Sequence, residues 1–277
     1  MRIATWNLKQ AIKPQAKPDV LWEWADTRIQ ADVHVFTEAK VSLAHCDSGW
    51  DAVWDSKGLY PQQRNIWGTV IASSKCDLVP VTSVGGRFRR TTMTFKWPGA
   101  VQVADVIAHG ERWATVVGIY GVLKDLDGDK AGNAMASLKH FLRQLEPLLE
   151  SKRGQRIVIA GDFNIWPFMT NQLLRHYDLT DLVEYTANER QPLPGCANCS
   201  YLTKNGRPPK ESCGHLWSHR NEGGRNPAKQ QIDFILASDE LVDELDSVSG
   251  GAADFPDVWD VSDHAPVVAD FGTRQFQ

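Results

Sequence analysis

Polar side chains that can bind a metal or move a proton recur at the ends of apolar, strand-like runs in this sequence. One is the turn Ser262-Asp263-His264, which lies directly before the apolar run 265–268. Because functional sites of α/β folds are built at strand ends, we expect such residues to converge. The same form recurs at four more places: Trp6-Asn7, Thr37-Glu38, Gly161-Asp162-Phe163-Asn164 and Gln231-Ile232-Asp233.

The combined set has the composition of a site for a hard divalent cation and a phosphate. Carboxylate and amide oxygens favour Mg²⁺ or Mn²⁺ over zinc, and a histidine beside carboxylates suits phosphate recognition or proton transfer. Hydrolysis of a phosphoester needs a cation, an oriented water and donors for the developing charge. The candidate residues are Glu38, Asp162, Asp233, Asp263, Asn7, Asn164, Tyr120 and His264.

Each of these residues also has an ordinary structural explanation when it is taken alone. An Asp after a buried strand, such as Asp162, is often a helix cap or a turn residue. His264 alone could equally be a structural, hydrogen-bonded histidine. A shared site explains the ordered set better than several independent structural roles do.

Alternating strands and helices are predicted to position the set. Strands are expected at 2–8, 32–37, 66–72, 90–97, 101–108, 113–120, 157–160, 232–237 and 265–271, and helices at 18–31, 129–151 and 168–176. Pro98-Gly99 between two alternating runs predicts a hairpin turn. Residues 186–229 are rich in Pro, Gly, Asn and Cys, so they are predicted to form a long loop or insertion.

Six motifs, taken in their order along the chain, resemble those of the endonuclease/exonuclease/phosphatase superfamily. This superfamily includes deoxyribonuclease I-like nucleases and abasic-site endonucleases. The resemblance implies an α/β fold, a four-layer sandwich of two packed mixed β-sheets flanked by helices, with the site at one edge. Because it covers nearly the whole chain, residues 1–277 are expected to form a single domain. The motifs are TWN (5–7), TE (37–38), GIY (118–120), GDFN (161–164), IDFILAS (232–238) and SDHAPV (262–267).

The resemblance implies which residues hold the cation. Glu38 would be the main ligand of Mg²⁺ or Mn²⁺, and Asn7 and Asp263 would complete or support its shell. Whether one metal or two act stays open at this point.

The resemblance also implies the catalytic roles. Asp162 would activate the attacking water, and Asn164 would hold that water or a phosphate oxygen. His264 would bind the scissile phosphate, with its tautomer fixed by Asp233. Tyr120 would donate to the phosphate. The roles of Asp162 and His264 could be exchanged, since family members are described with either as the base.

A structural zinc site is a further hypothesis. Cys196, Cys199, Cys213 and His215 (or His219) give a C-x2-C…C-x-H order within the loop. The alternative is a loop with unligated thiols. Five Cys in a chain of this size do not indicate a disulfide framework.

Two basic segments are candidates for substrate binding: residues 186–229 and the cluster of Arg87, Arg89 and Arg90. Residues 186–229 carry a local net charge of +4 (seven Lys and Arg against three Glu), although the whole chain has a formal charge of −4. A basic segment beside a phosphodiesterase site would attract a polyanion, but it could also be an ordinary solvated loop. The candidate substrate-binding residues are Arg87, Arg89, Arg90 and Trp217.

The function predicted from the sequence is a Mg²⁺-dependent nuclease acting on DNA or RNA. A phosphatase or lipid phosphodiesterase of the same fold is the alternative, and a catalytically silent nucleic-acid-binding module is the third possibility. No run approaches the ~18 apolar residues of a membrane span, and no signal peptide precedes the first strand. We therefore expect a cytoplasmic protein that binds nucleic acid but no membrane, with no obligate protein partner and a monomeric state.

Overall fold

The centre of the fold is a pair of six-stranded mixed sheets. A computed structural model describes residues 1–10, 17–59, 66–86, 89–123, 134–190, 213–221 and 229–272. The strands of the first sheet are β1 (Arg2–Asn7), β2 (Val33–Ala39), β3 (Asp51–Trp54), β4 (Gly68–Ser73), β15 (Leu245–Gly250) and β16 (Val267–Phe271). Their order is β15-β16-β1-β2-β4-β3, and β1 and β2 are its parallel pair.

The second sheet repeats this arrangement around another parallel pair. Its strands are β5 (Asp77–Pro80), β8 (Val101–Ala108), β9 (Glu111–Tyr120), β10 (Ile157–Asp162), β11 (Thr180–Asp181) and β14 (Asp233–Ala237). They lie in the order β11-β14-β10-β9-β8-β5, with β9 and β10 parallel. Two ribbons complete the strands: β6 (Ser83–Gly86) with β7 (Arg89–Thr92), and β12 (His219–Arg220) with β13 (Lys229–Gln230).

The described helices lie around the two sheets. They are α1 (Pro18–Trp24), α2 (Leu43–Asp47), α3 (Ala134–Leu149), α4 (Pro167–Leu174), α5 (Leu182–Tyr185), α6 (Asp239–Val242) and α7 (Gly251–Asp254). A π-helical segment, Ala25–Ile29, continues α1. Short 3-10 turns lie at Pro98–Ala100, Gly154–Arg156, Ala187–Glu189 and Pro256–Asp260. No helix in the described part of the chain is both long and apolar enough to cross a bilayer.

Strand alternation divides the apolar residues among three cores. Val158 of β10 lies in the core between the sheets, whereas its neighbour Ile159 packs under α3 with Leu138 and Phe141. Successive strand residues point to opposite faces, so one strand serves two cores. A third core lies between the first sheet and α1, around Trp22. The four-layer sandwich expected from the resemblance is confirmed.

Several predicted elements have different bounds in the structure. The predicted helix 18–31 ends at Ile29, after which Gln30 is left-handed with φ 56°. The helix predicted at 129–151 is described from Ala134 to Leu149, and residues 129–133 lie outside the described part of the chain. Within the predicted loop 186–229, the described residues include β12 and β13, while 191–212 and 222–228 lie outside them.

The predicted hairpin around Pro98-Gly99 is wrong. Strand β7 ends at Thr92 and pairs with β6, while β8 pairs with β5 and β9. The physical reason is that both edges of β8 are already occupied. The pairing with β5 is extended by the Val81 amide, which donates to the Val103 carbonyl over 2.9 Å. Pro98 instead begins a 3-10 turn that leads into β8.

One buried histidine makes the fold sensitive to acid. His34 is 1% exposed, stacks on Phe36 and Trp50, and has no hydrogen-bond partner for either ring nitrogen among the described residues. Burial lowers the pKa of His34 from 6.5 to about 3, with a further contribution from the Lys75 charge. His34 of the unfolded chain therefore takes up a proton below pH 6.5, whereas His34 of the folded protein stays neutral down to about pH 3. The folded protein therefore loses stability as the pH falls through this range.

We expect His34→Phe to remove this sensitivity. Between pH 7.5 and pH 5, the unfolding free energy of the wild type should fall by about 2 kcal/mol more than that of the variant. Urea unfolding at both pH values measures the difference. His109→Gln, at an exposed position, is the control and should keep the wild-type pH dependence. Equal pH dependence in His34→Phe and wild type would contradict this account.

Candidate active site

The carboxyl ends of the two parallel strand pairs meet at one edge of the sandwich. In the second sheet, Asp162 at the end of β10 lies opposite Tyr120 of β9 and Asp233 of β14. In the first sheet, Asn7 at the end of β1 lies opposite Thr37 of β2. The pairing register alone therefore brings together side chains that are far apart in the sequence.

Two hydrogen bonds join the sheets at this edge. The Asn7 amide Nδ2 donates to Asp162 Oδ2 over 2.9 Å and also lies 3.2 Å from Glu38 Oε1. The Tyr120 hydroxyl donates to the same Glu38 oxygen over 3.1 Å. Asn7 and Asp162 are each 1% exposed. The predicted residues Asn7, Glu38, Tyr120 and Asp162 thus form one connected group.

Unusual backbone conformations aim three side chains at this edge. Lys9, Glu38 and Asn164 have φ angles of 54°, 45° and 52°, a region that non-glycine residues enter rarely. Glu38 lies where the register between β2 and β4 shifts, so the strand is irregular at this point. Asn164 follows Asp162, whose Oδ1 accepts from the Asn164 amide over 2.8 Å. Such strain commonly accumulates where a site needs it.

Gly161 is required for the approach of β10 to β9. Its φ is 153°, and a Cβ at this position would lie 1.8 Å from the Ile119 carbonyl oxygen. A side chain at position 161 would therefore push the two strands apart and displace Asp162. This close contact is the physical reason for glycine before the aspartate.

His264 is held between two buried aspartates. Its Nδ1 donates to Asp233 Oδ2 over 2.9 Å, and its Nε2 lies 3.8 Å from Asp162 Oδ2. Burial alone would lower the pKa of His264, but Asp233 and Asp162 outweigh burial and raise that pKa to about 10. At neutral pH, His264 is therefore an imidazolium whose Nε2 proton points toward Asp162.

Asp162 is a carboxyl group with weakened acidity. Burial raises its pKa to about 8, and the Asp233 charge adds to this effect. The His264 charge and the hydrogen bond from Asn7 act in the opposite direction. A carboxyl group with a pKa close to neutral can both accept and release a proton under physiological conditions.

The donor set fits a divalent cation. Glu38 Oε2 and Asp263 Oδ1 are buried and have no hydrogen-bond partner among the described residues. Burial raises the pKa of Glu38, which shows that its charged form lacks sufficient compensation. A cation at Glu38 would supply that compensation with a ligand type that Mg²⁺ prefers.

A tighter cluster lies next to Glu38. Donor atoms of Asp162, Asp233 and His264 lie within 4.8 Å of one another, and they are the one such group in the described part of the chain. With its pKa raised to about 10, His264 carries a proton on both ring nitrogens at neutral pH, so neither nitrogen offers a lone pair to a metal. The Asp162–Asp233–His264 group is therefore better suited to proton handling, and Glu38 to metal binding.

Sequence reasoning missed Lys9 as a site residue. Lys9 is 4% exposed, and its Nζ lies 2.7 Å from Asp263 Oδ2. Its position two residues after Asn7, just beyond the TWN motif, was the available signal.

The sequence suggests His219 only as a zinc ligand, but the structure places its ring against that of His264. Its ring centroid lies 4.5 Å from that of His264. The Trp166 indole donates to Gln230 Oε1 over 3.1 Å, and an indole can only donate, so Gln230 Nε2 faces His219 Nδ1 at 3.0 Å. His219 therefore carries its proton on Nε2. Burial lowers the pKa of His219 to about 3, and the neighbouring His264 adds to this effect, so the ring is neutral.

The remaining predicted residues lie outside this group or outside the described chain. Trp217 is partly exposed, and Lys229 Nζ lies 4.0 Å above its ring, so its role in substrate binding stays a prediction. Arg87 lies outside the described residues. Arg89 and Arg90 belong to β7, but their side chains are not described.

The zinc hypothesis is only partly accessible to the structure. Cys196 and Cys199 lie outside the described residues. Cys213 is partly buried and His215 is buried, and both precede β12. Across the part of the chain that is described, no Cys-containing metal cluster is present.

Comparison with known proteins separates sequence from fold. No family model and no curated protein sequence matches the chain. Solved structures do match. A 3′ phosphatase, NExo, from Neisseria bound to a product DNA hairpin is 22% identical, with 99% of this chain and 100% of that chain covered and a TM-score of 0.62. This chain has the fold of the endonuclease/exonuclease/phosphatase superfamily.

Two further members of this fold match over nearly the same length. An AP endonuclease from Archaeoglobus fulgidus is 15% identical, with 99% and 100% of the two chains covered and a TM-score of 0.62. TDP2 from D. rerio, complexed with a single-strand DNA product, is 13% identical, with 99% of each chain covered and a TM-score of 0.63. The fold resemblance inferred from the six motifs is confirmed, and the candidate residues lie together at one edge of the sandwich.

Proposed function

We propose that the protein is a metal-dependent phosphodiesterase that hydrolyses nucleic acid. One observation carries the proposal: the Asn7 amide bridges Glu38 and Asp162 beside the His264–Asp233 pair. This arrangement sets a candidate metal ligand next to a carboxyl group that can accept a proton. Both groups also lie next to His264, a cationic donor. Phosphoester hydrolysis requires these three components: a metal ligand, a proton acceptor and a donor to the phosphate.

Glu38 would hold the cation, supported by Asn7 and Asp263. Mg²⁺, or Mn²⁺ in its place, would supply Lewis-acid polarisation of a phosphate oxygen when bound. Asn7 keeps Glu38 and Asp162 at a fixed separation because one amide group contacts both. Tyr120 restrains the Glu38 carboxylate from the side of the second sheet.

Asp162 is the general base of this proposal and His264 the phosphate donor. The raised pKa of His264 makes it a cation at neutral pH, so it cannot accept the proton of an attacking water. Its Nε2–H can instead bind a negatively charged phosphate oxygen. Asp162, with a pKa raised to about 8 before any cation binds, becomes ionised more readily once a cation is nearby. Asn164 fixes the orientation of the Asp162 carboxylate through its backbone amide.

Nucleic acid is the substrate class that the comparisons support. The Neisseria protein is bound to a product DNA hairpin, and the D. rerio protein to a single-strand DNA product. A terminal phosphomonoesterase is the second candidate, because the matched Neisseria protein carries the names 3′ phosphatase and 3′–5′ exonuclease. Both reactions use the same attack of water on phosphorus.

A substrate panel tests the proposal. Purified protein is incubated with single-stranded DNA, double-stranded DNA, RNA, a 3′-phosphorylated DNA and bis-(p-nitrophenyl) phosphate, with Mg²⁺ or with chelator. We expect Mg²⁺-dependent hydrolysis of at least one nucleic acid. The terminal-phosphate activity is favoured if inorganic phosphate is released faster than nucleotides. Hydrolysis of the small diester with none of the nucleic acids would contradict the substrate class.

We expect Glu38→Gln to weaken Mn²⁺ binding. The substitution removes one buried negative charge and keeps the oxygen that accepts from Asn7 and Tyr120, so the fold should be retained. Loss of a carboxylate ligand should raise the Kd for Mn²⁺ at least tenfold, as measured by calorimetry without nucleic acid. Glu240→Gln, at an exposed site beyond the far end of β14, is the control and should bind like wild type. Unchanged Mn²⁺ binding in Glu38→Gln would show that Glu38 is not a ligand of the metal.

Three further expectations belong to the proposal. Residues 1–277 act as one domain, because the site draws Asn7 and His264 from opposite ends of the chain. The protein is monomeric, which sedimentation velocity would test. Cys196, Cys199, Cys213 and His215 bind zinc in the loop, and metal analysis after purification without added zinc would test this. One zinc per chain is expected, and its absence would remove the hypothesis.

A further inference from the structure

Asp263 is already neutralised by a cation that belongs to the protein. Lys9 Nζ lies 2.7 Å from Asp263 Oδ2, and their side chains are 5% and 14% exposed. A lysine is rarely buried to this extent without a function or a partner, because its ammonium is strongly hydrated. The pair lies at the same edge as Glu38, whose electrostatic neighbours include both His264 and Asp263.

The backbone fixes Lys9 in this position. Its left-handed φ of 54° directs the chain back toward the strand end, and its amide donates to Asn7 Oδ1 over 2.8 Å. On either side, the Leu8 amide donates to the Thr37 carbonyl and the Gln10 amide to the Glu38 carbonyl, both over 2.9 Å. The segment carrying Lys9 is thus hydrogen-bonded to the strand that carries Glu38.

The two candidate metal carboxylates differ in what they can still accept. Glu38 accepts only neutral donors, from Asn7 and Tyr120, and its Oε2 has no partner among the described residues. Asp263 Oδ1 likewise has no partner among the described residues, but Asp263 Oδ2 already faces the full positive charge of Lys9. A divalent ion on Asp263 would lie within a few ångströms of the ammonium, where two cations repel strongly. An ion at Glu38 would be repelled most by His264, whose positive charge is already paired with Asp233 and Asp162.

We infer that the Lys9 ammonium is a permanent cation of this site, which holds Asp263 and leaves one divalent ion to bind at Glu38. This inference rests on the proposed function and specifies its metal requirement. Lysine brings positive charge and up to three hydrogen-bond donors, so it can attract a substrate phosphate, but it cannot act as a Lewis acid. The site would therefore combine one exchangeable metal with one fixed charge.

Mn²⁺ binding to the intact protein tests the inference. Wild type, Lys9→Met and Lys75→Met are titrated with Mn²⁺ alone, by calorimetry and by electron paramagnetic resonance of the free ion. Lys75→Met is a matched control because Lys75 also pairs with an aspartate, Asp32, but at the opposite end of the first sheet. Thermal unfolding checks each variant, and Lys9→Gln replaces Lys9→Met if the latter does not fold.

We expect wild type and Lys75→Met to bind one Mn²⁺ per chain with equal Kd. Lys9→Met should bind Mn²⁺ about tenfold more tightly, because it loses a nearby positive charge and frees the Asp263 carboxylate. Two ions in wild type, or binding in Lys9→Met no tighter than in wild type, would overturn this inference and leave the proposed function intact. No Mn²⁺ binding in wild type would overturn both.

Discussion

Asp162→Asn should reduce Mg²⁺-dependent cleavage by about 100- to 10,000-fold, the usual contribution of a general base. The amide has the shape of the carboxylate, but Asn7 and the Asn164 backbone amide donate to different oxygens of Asp162, so the variant keeps only one of these two hydrogen bonds. It cannot take a proton from water at neutral pH. Single-turnover cleavage of the best substrate from the panel measures the loss, and thermal unfolding checks the fold.

The control for this variant is Asp239→Asn. Asp239 is exposed and lies just beyond the far end of β14, the strand that begins with Asp233. It should cleave at the wild-type rate. Because Asp162 is buried with a raised pKa, its replacement by a neutral amide should destabilise the protein at neutral pH only through the one lost hydrogen bond, by about 1–3 kcal/mol. An Asp162→Asn protein that is fully folded and cleaves within threefold of wild type would remove Asp162 from the mechanism.

Asp233→Asn should lower the rate by up to about 10,000-fold, the loss seen when a buried aspartate that orients a histidine is replaced by asparagine. Asp233 accepts the Nδ1 proton of His264 and is itself fully buried. An asparagine can present its NH₂ group to Nδ1, which forces the proton onto the other nitrogen and removes the imidazolium. The phosphate then loses its charged donor.

The same substitution has a signature in pH dependence. The Asp233 charge raises the pKa of His264, so removing that charge lowers the pKa and deprotonates the ring at a lower pH. The alkaline limb of the rate profile should therefore move toward neutral pH in Asp233→Asn. A ¹⁵N-detected titration of the His264 ring measures the pKa directly. A His264 pKa that does not fall would show that Asp233 has no electrostatic role.

His264→Gln provides the companion measurement. If Asp233 acts only through His264, the double variant should be no slower than His264→Gln alone, because residues that act as one unit are non-additive. An additive loss would mean that Asp233 contacts the reacting groups by a separate route. Asp246→Asn, at a solvent-exposed position in β15, is the matched control for carboxylate loss.

The motifs located most of the site because their chemistry is local. GDFN requires glycine where β10 approaches β9, and the aspartate that follows must emerge at the strand end. Asn7 at the end of β1 and Asp233 at the start of β14 likewise lie at strand ends. A strand end is visible in the sequence as a change from apolar to polar residues, so these positions could be predicted without coordinates.

Pairing between strands was less accessible. The hairpin at Pro98-Gly99 was a reasonable prediction from turn residues, but the edge of β8 belongs to β5, which lies earlier in the chain. Turn propensity acts over four residues, whereas strand pairing is decided by competition among all available edges. The residues around a turn therefore do not show which strand edge will be paired.

The sequence by itself determined the fold class, through the resemblance of its six motifs, and the identity of eight candidate residues. Only the tertiary structure decided which of those residues are suited to metal binding and which to proton transfer. Lys9 lies beside Asp263 because its backbone is left-handed and hydrogen bonds fix the chain on either side of it. His219 lies against His264 because an antiparallel bridge joins β12 to the chain at His264. Burial and neighbouring charges, which set the pKa values of Asp162 and His264, arise from packing between distant segments. Electrostatic roles therefore depend on three-dimensional proximity, which no motif encodes.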